Sequence, residues 1–253
     1  GFDFLKLDGQ GRLVNWYNLC RRGMGKPELT GAEAYRHGLA IMRRVIERKR
    51  QWQSRLQSYQ AETYSRNAIS NDTGIVFLSE IISDLHWKSD LGYREVIRSK
   101  KQTSNINPAI AASSAMLIPN LYDDDIELMG YTLIGVTHPE ALKHYCFEVI
   151  GERTLDNRRV YDIMARSAGD LQPVFEGRLA VQDSSFILVE AELEPASYLR
   201  LPKPVKEYQV ELKQKFRIIR DSIPMPVSLE MSGSLKAGMI GLSFPAFHIH
   251  SIT

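Results

Sequence analysis

From His144 to about Thr253 the chain alternates apolar and polar positions in segment after segment, with almost no helical period. At the centre of this stretch, Val174 to Leu193, two alternating runs flank Asp183-Ser184. That spacing predicts a β-hairpin. The same reading predicts strands over 144–152, 158–166, 174–182, 185–193, 206–218, 226–235 and 240–251. Asp156-Asn157 and Ala168-Gly169-Asp170 supply turn residues between them. Pro195 to Pro204 holds three prolines, which excludes a central strand there. A meander this long makes a curved sheet, and a curved sheet serves as a container or a platform.

The first half reads differently. Thr30-Gly31-Ala32-Glu33 is a capping box, in which the Thr and Glu side chains satisfy orphan amides of a helix start. It predicts a helix to about Leu56, with Tyr35, Leu39, Met42, Val45, Ile46, Trp52 and Leu56 as an apolar stripe. Arg43, Arg44, Arg48, Lys49, Arg50 and Arg55 crowd the other face. Strands are expected at 59–69, 75–85 and 93–99, with Asn71-Asp72-Thr73-Gly74 as a turn.

Two stretches are less regular. Residues 103–142 break the pattern: a short helix from Asn107-Pro108 to Met116, an acidic Asp123-Asp124-Asp125, an apolar stretch to Val136, and a turn or helix at His138-Pro139. Such insertions often form lids or plugs. Residues 1–29 hold a small hairpin around Asp8-Gly9-Gln10-Gly11 and a glycine-rich loop, and read as a leader or the remnant of a preceding domain. The domain proper is placed at 30–253. The chain begins at Gly1 rather than Met, which predicts a processed or trimmed N-terminus.

Composition narrows the function classes. The 32 basic and 30 acidic residues leave a net charge of +2, without the basic excess of a nucleic-acid binder. No apolar run approaches the roughly 18 residues of a membrane-spanning helix. Two cysteines, Cys20 and Cys146, make no disulfide framework, and a packed Cys146 thiol is the expectation.

Candidate chemistry is sparse. His248 and His250 share one face of a strand, a spacing that can serve a metal, but no third ligand stands nearby in sequence. Asp123, Asp124 and Asp125 lack the spaced acid-glycine pattern of a calcium loop and read as a solvated loop or an acidic helix start. Glu80, Glu176 and Glu190 can pair across strands as general acid and base only if the fold sets their separation. No Gly-x-Ser-x-Gly elbow and no phosphate-cradling glycine loop occurs. The basic helix face from Arg43 to Arg55 reads as solvated, with anionic lipid or an acidic partner as the alternative. Catalytic residues, metal ligands and cofactors are therefore expected to be none, and the ligand-binding residues are left unassigned. Between helix and sheet, core packing is the expectation and a ligand cavity the alternative.

The order of several segments resembles a known family. These are Ile41 to Ile46, Ser58 to Arg66, Phe77 to Ser83, Asn120 to Asp123, His138 to Tyr145, Arg159 to Tyr161 and Phe175 to Gly177. The series is similar to a largely uncharacterised family of Gram-negative outer-membrane proteins. Its members carry an N-terminal carboxypeptidase-regulatory-like sandwich, a periplasmic module and a C-terminal membrane barrel. The middle module resembles the periplasmic lipoprotein carrier fold.

The resemblance implies an α+β chain: a strongly curved antiparallel half-barrel of about 9–11 strands over one long helix and short helices. It implies a non-enzymatic periplasmic module of a larger outer-membrane protein. Such a module would act in envelope assembly or transport by binding a hydrophobic ligand, such as an acyl chain, or an envelope protein. It also implies attachment to the outer membrane through a barrel beyond Thr253. A soluble lipid or lipoprotein carrier and a hydrolase using strand carboxylates are the alternatives.

Overall fold

The computed structural model describes residues 31–103, 119–128, 130–169, 172–196, 205–220, 223–239, 242–243 and 247–252. Thr30 of the capping box, Cys20, the segment 1–29, the expected helix 107–116 and the proline loop after Ala196 lie outside them.

The helix, α1, spans Gly31–Gln53. It stops short of Leu56 because Ser54 turns its hydroxyl back onto the Gln51 carbonyl, 3.1 Å away, and the Arg55 side chain does the same at 3.0 Å. Side-chain bonds of this kind compete with the helical ladder. A first antiparallel arm follows: β1 (Ser58–Asn71), β2 (Gly74–Lys88) and β3 (Gly92–Gln102). The insertion contains a hairpin, β4 (Asp125–Leu128) and β5 (Tyr131–Ile134), and then the one-turn α2 (Ala141–His144).

The second arm is the meander. It comprises β6 (Tyr145–Leu155), β7 (Arg158–Ser167), β8 (Phe175–Gln182), β9 (Ile187–Pro195), β10 (Val205–Ile219) and β11 (Ile223–Met239). The strand expected over 240–251 is divided into β12 (Leu242–Ser243) and β13 (Phe247–Ile252). β12 folds back on the end of β11, whereas β13 crosses to a new place.

That place defines the architecture. The sheet order is β3-β2-β1-β13-β11-β10-β9-β8-β7-β6, all antiparallel, with β12 attached to β11. β13 stitches the two arms together. The outermost strands, β3 and β6, do not pair with each other, so the sheet is open. Register breaks after Ile69, Ile82, Val149, Ala180 and Lys215 each place an extra residue in one strand. Such bulges bend and coil a sheet, which is how eleven strands curve instead of lying flat. The α+β curved antiparallel sheet expected from the sequence is the fold observed.

The core fills the curve over β6 to β10. Met42 and Val45 of α1 share one buried cluster with Phe147, Ile163, Leu179 and Leu212. Helix and sheet touch at the backbone: a methyl group on Gly38 would lie 2.4 Å from the Phe147 carbonyl oxygen. The described part of the insertion is core as well, since Leu121, Tyr122, Ile126, Leu133 and Val136 are at most 2% exposed. Here the helix-to-sheet space is packed solid, as the default expectation had it. Residues 119–136 are an integral layer of the domain rather than a surface lid.

Two buried tyrosines pin that layer. The Tyr122 hydroxyl accepts a hydrogen bond from the Leu188 amide at 2.7 Å and donates to its carbonyl at 3.4 Å. The Tyr145 hydroxyl accepts from the Phe175 amide at 3.0 Å and donates to the Ile134 carbonyl. Each phenol satisfies backbone groups that the irregular chain would otherwise leave unpaired in the interior.

Candidate functional site

A cleft with room for a guest lies between β1 and β11, next to β13. Ile252 pairs with Arg66 on one side and Glu230 on the other. Beyond that rung, 58–65 of β1 and 223–229 of β11 continue with no strand between them among the described residues. The gap is a cleft of about 870 Å³. Ligand pockets commonly fall between roughly 300 and 1,000 Å³.

The lining shows what kind of cleft it is. Every residue from Ser58 to Tyr64 lines it, and so does every residue from Met225 to Leu229. A pocket on the face of a sheet is lined by alternate residues, because successive side chains point to opposite faces. Consecutive lining marks strand edges. The cleft is therefore a split in the sheet, with two strand edges as its walls.

Tyr59 and Tyr93 line it together. Tyr59, Trp87 and Tyr93 are cross-strand neighbours on β1, β2 and β3. Tyr59 stacks on Trp87 with ring centroids 5.4 Å apart, and its hydroxyl donates to the Tyr93 hydroxyl at 3.2 Å. Burial pushes both phenols above the ordinary tyrosine range. Pro119 and Asn120 also line the cleft. Gln214 of β10 fixes them, accepting from the Leu121 amide at 2.7 Å and donating to the Pro119 carbonyl at 3.2 Å. Asn120 in turn donates to Asp123 at 3.1 Å.

Asp123 has a consequence for stability. Burial pushes its carboxyl up to about 6, against the opposing pull of Lys49. The folded state thus holds a proton that the unfolded chain releases near pH 4. Its contribution is complete below about pH 4 and is lost as pH rises through about 6. The Asp123→Asn variant removes this dependence. We expect it to gain about 1–3 kcal/mol on the native protein between pH 4 and pH 7, read by denaturant unfolding at both values. Parallel curves for the two proteins would contradict the assignment.

The sequence-predicted groups are dispersed. Asp124 pairs with Lys49, and Asp123 with Asn120, so the acidic run is structural. Lys49 is not on the solvated basic face where the sequence placed it: it is 2% exposed. Its period on the helix, one turn beyond Val45, points it inward, and the Asp124 carboxylate and Thr137 hydroxyl receive it. Arg44 lies over the Phe186 ring at 4.7 Å.

Glu80 accepts from Tyr64, Glu176 accepts from the Ser167 amide, and Glu190 pairs with Arg153. Glu190 stands opposite Ala180, four positions along β8 from Glu176. That is about 13 Å at the strand rise, beyond the roughly 5–9.5 Å of working carboxylate pairs. Glu176 and Glu190 therefore do not form the carboxylate pair that the hydrolase alternative needs.

His248 and His250 face Ser70 and Ala68 in the backbone register, and their side chains lie outside the described residues. No cluster of three metal-ligating side chains forms among the described residues. Among those residues Cys146 is a free thiol.

Sequence reasoning missed Lys49, Gln214 and the Tyr59–Tyr93 pair. Gln214 left a signal: it is a polar residue in the inward file Val210, Leu212, Gln214, Phe216.

A model described as a family of unknown function, DUF5686, matches residues 67–252. No curated protein matches the chain. Among solved structures, the chain is similar to a putative outer membrane lipoprotein-sorting protein domain from Vibrio parahaemolyticus. The identity is 8% and the TM-score 0.37, over 87% of this chain and 92% of that one. A DUF1329 family protein from Desulfovibrio piger gives 10% and 0.33, over 87% and 91%. A LolA superfamily protein from Nitrosomonas europaea gives 10% and 0.31, over 85% and 92%.

Proposed function

The chain belongs to the DUF5686 family, a family of unknown function, and we propose that it is a non-enzymatic binding module that takes an apolar guest in the cleft between β1 and β11. The cleft itself carries this reading: about 870 Å³ of space whose walls include Leu56, Ala61, Ile223, Met225, Val227 and Leu229, interleaved with polar residues such as Gln60, Thr63 and Ser228. Apolar walls with a few placed polar groups are the usual make-up of a small-molecule site. A periplasmic setting, service in envelope assembly or transport, and a place within a larger outer-membrane protein belong to the same proposal. Their support is the family resemblance of the ordered segments. A soluble carrier of lipid or lipoprotein uses the same cleft and differs only in lacking the membrane attachment.

The test is direct. A dansylated undecanoic acid is titrated into the protein, and lipid copurified with it is sought by mass spectrometry. Ala61 lies on the half-buried side of β1, so Ala61→Trp fills the cleft. We expect the variant to bind the probe about tenfold more weakly, the loss that about 1.4 kcal/mol represents. Equal affinity of the two proteins, with both folded, would place the guest elsewhere and overturn the assignment.

A further inference from the structure

We infer that the outer face of helix α1 docks on an anionic lipid bilayer through its arginines, independently of the cleft. Arg36, Arg43, Arg44, Arg50 and Arg55 are all exposed. Arg36, Arg43 and Arg50 recur every seven residues and so form one row along the helix, with about 10.5 Å between neighbours. Arg44 stands beside that row, and Arg55 follows the last helical turn. Glu33 and Glu47 are the acids exposed on the same helix. Lys49 is turned inward to Asp124, so the exposed cations of this face are arginines.

These guanidiniums are not committed elsewhere. On the sheet, Arg98, Arg153, Arg159 and Arg178 each pair with an acid. None of the five helix arginines forms such a pair among the described residues. Arg36 and Arg55 each donate from Nε to a carbonyl of their own turn, Ala32 at 3.3 Å and Gln51 at 3.0 Å. Their terminal nitrogens stay available. Arg44 rests over the Phe186 ring, a contact with the face of its guanidinium that leaves the in-plane donors open.

Shape selects the partner. Peptide ligands take a groove or a sheet edge. A helix face is convex, and the cleft draws no lining residue from α1. A convex row of cations meets a plane of charges along its whole length, here about 21 Å from Arg36 to Arg50. Ala32 and Ala40 are the small exposed residues beside the row, and their methyl groups let such a plane come close. A guanidinium fork matches phosphate oxygens bidentately. Attraction to an anionic leaflet accumulates with each basic residue near it. Tyr35 is the one large apolar side chain exposed on α1, so the attachment is electrostatic rather than an insertion.

The probes are phosphatidylcholine vesicles with and without phosphatidylglycerol, floated with the full chain. The chain is expected to float with the phosphatidylglycerol vesicles and to stay behind with phosphatidylcholine alone. Binding should weaken as salt is raised, because screening shortens the reach of the charges. Arg43→Gln and Arg50→Gln together should weaken it about tenfold or more, at about fivefold for each arginine. Lys213→Gln and Lys215→Gln together remove the same charge from β10, where both lysines pair with acids, and should leave binding unchanged. Failure to float, equal binding to the two kinds of vesicle, binding that ignores salt, or equal losses in the two double variants overturns the inference. Binding to poly-glutamate without binding to vesicles also overturns it and makes the partner an acidic polypeptide.

Discussion

Replacing Lys49 by alanine should cost about 3–5 kcal/mol, because the ammonium is buried among partners that the fold holds around it. Lys49 reaches the Asp124 carboxylate, the Thr137 hydroxyl at 3.0 Å and the Thr137 carbonyl at 3.4 Å. Burial pulls its pKa below the ordinary lysine range, and the bond to Asp124 opposes that pull. The pair ties helix α1 to residues 124 and 137, which bracket the β4–β5 hairpin. Lys49→Ala leaves a carboxylate short of its cation and a cavity along the lysine stem. Lys49→Met keeps the stem volume, and Asp124, with a side chain 39% exposed, can turn to water. We therefore expect Lys49→Met to recover more than half of the loss. Chemical denaturation of the three proteins reads this. At this chain length the alanine variant should melt roughly 10 °C lower. Equal losses for alanine and methionine would mean that the ion pair, rather than the packed stem, carries the whole effect.

How much of this was legible in the sequence follows from the physics of each element. Strand alternation repeats every two residues, and a buried face makes it loud, so the meander was readable within a few residues at each end. The Asp183-Ser184 turn was legible as well, and Ser184 takes the left-handed conformation with φ 69°. The helix was legible as an element, and Met42, Val45, Ile46 and Trp52 of its expected stripe are buried. The buried face also includes Ala34, Gly38, Ile41 and Lys49, which the stripe left out. Two of those four positions carry no apolar side chain. Gly38 is small because a strand backbone touches it, and Lys49 is charged because an acid awaits it. Hydrophobic patterning is blind to both. It drew the stripe through Tyr35 instead, which is 36% exposed.

The hairpin within the insertion was hidden for another reason. Its strands have four residues each, too few for a period to show. The cleft was the least legible feature of all. No residue type marks it, since its walls are two strands far apart in sequence. Strand order and register belong to long-range pairing, which a linear pattern does not encode.

The second large effect is expected at Tyr122, whose ring joins three parts of the molecule. It packs edge-on against Trp52 of α1 at 5.4 Å and against Phe216 of β10 at 4.9 Å, while its hydroxyl holds both backbone groups of Leu188. Tyr122→Phe keeps the ring and strands the Leu188 amide, a cost of about 1–3 kcal/mol. Tyr122→Ala also opens a cavity and should cost about 3–5 kcal/mol. The loss has a functional reading besides stability. Residues 119 and 120 form the end wall of the cleft and are fixed to the sheet on one side by Gln214 and on the other by the chain leading into Tyr122. Freeing that anchor unpins the wall, so probe affinity should fall in Tyr122→Ala at temperatures where the variant is still folded. Tyr122→Phe, with its ring still wedged between Trp52 and Phe216, should bind as the native chain does. A phenylalanine variant that loses the probe as fully as alanine does would show that the hydroxyl, and not the ring, sets the cleft wall.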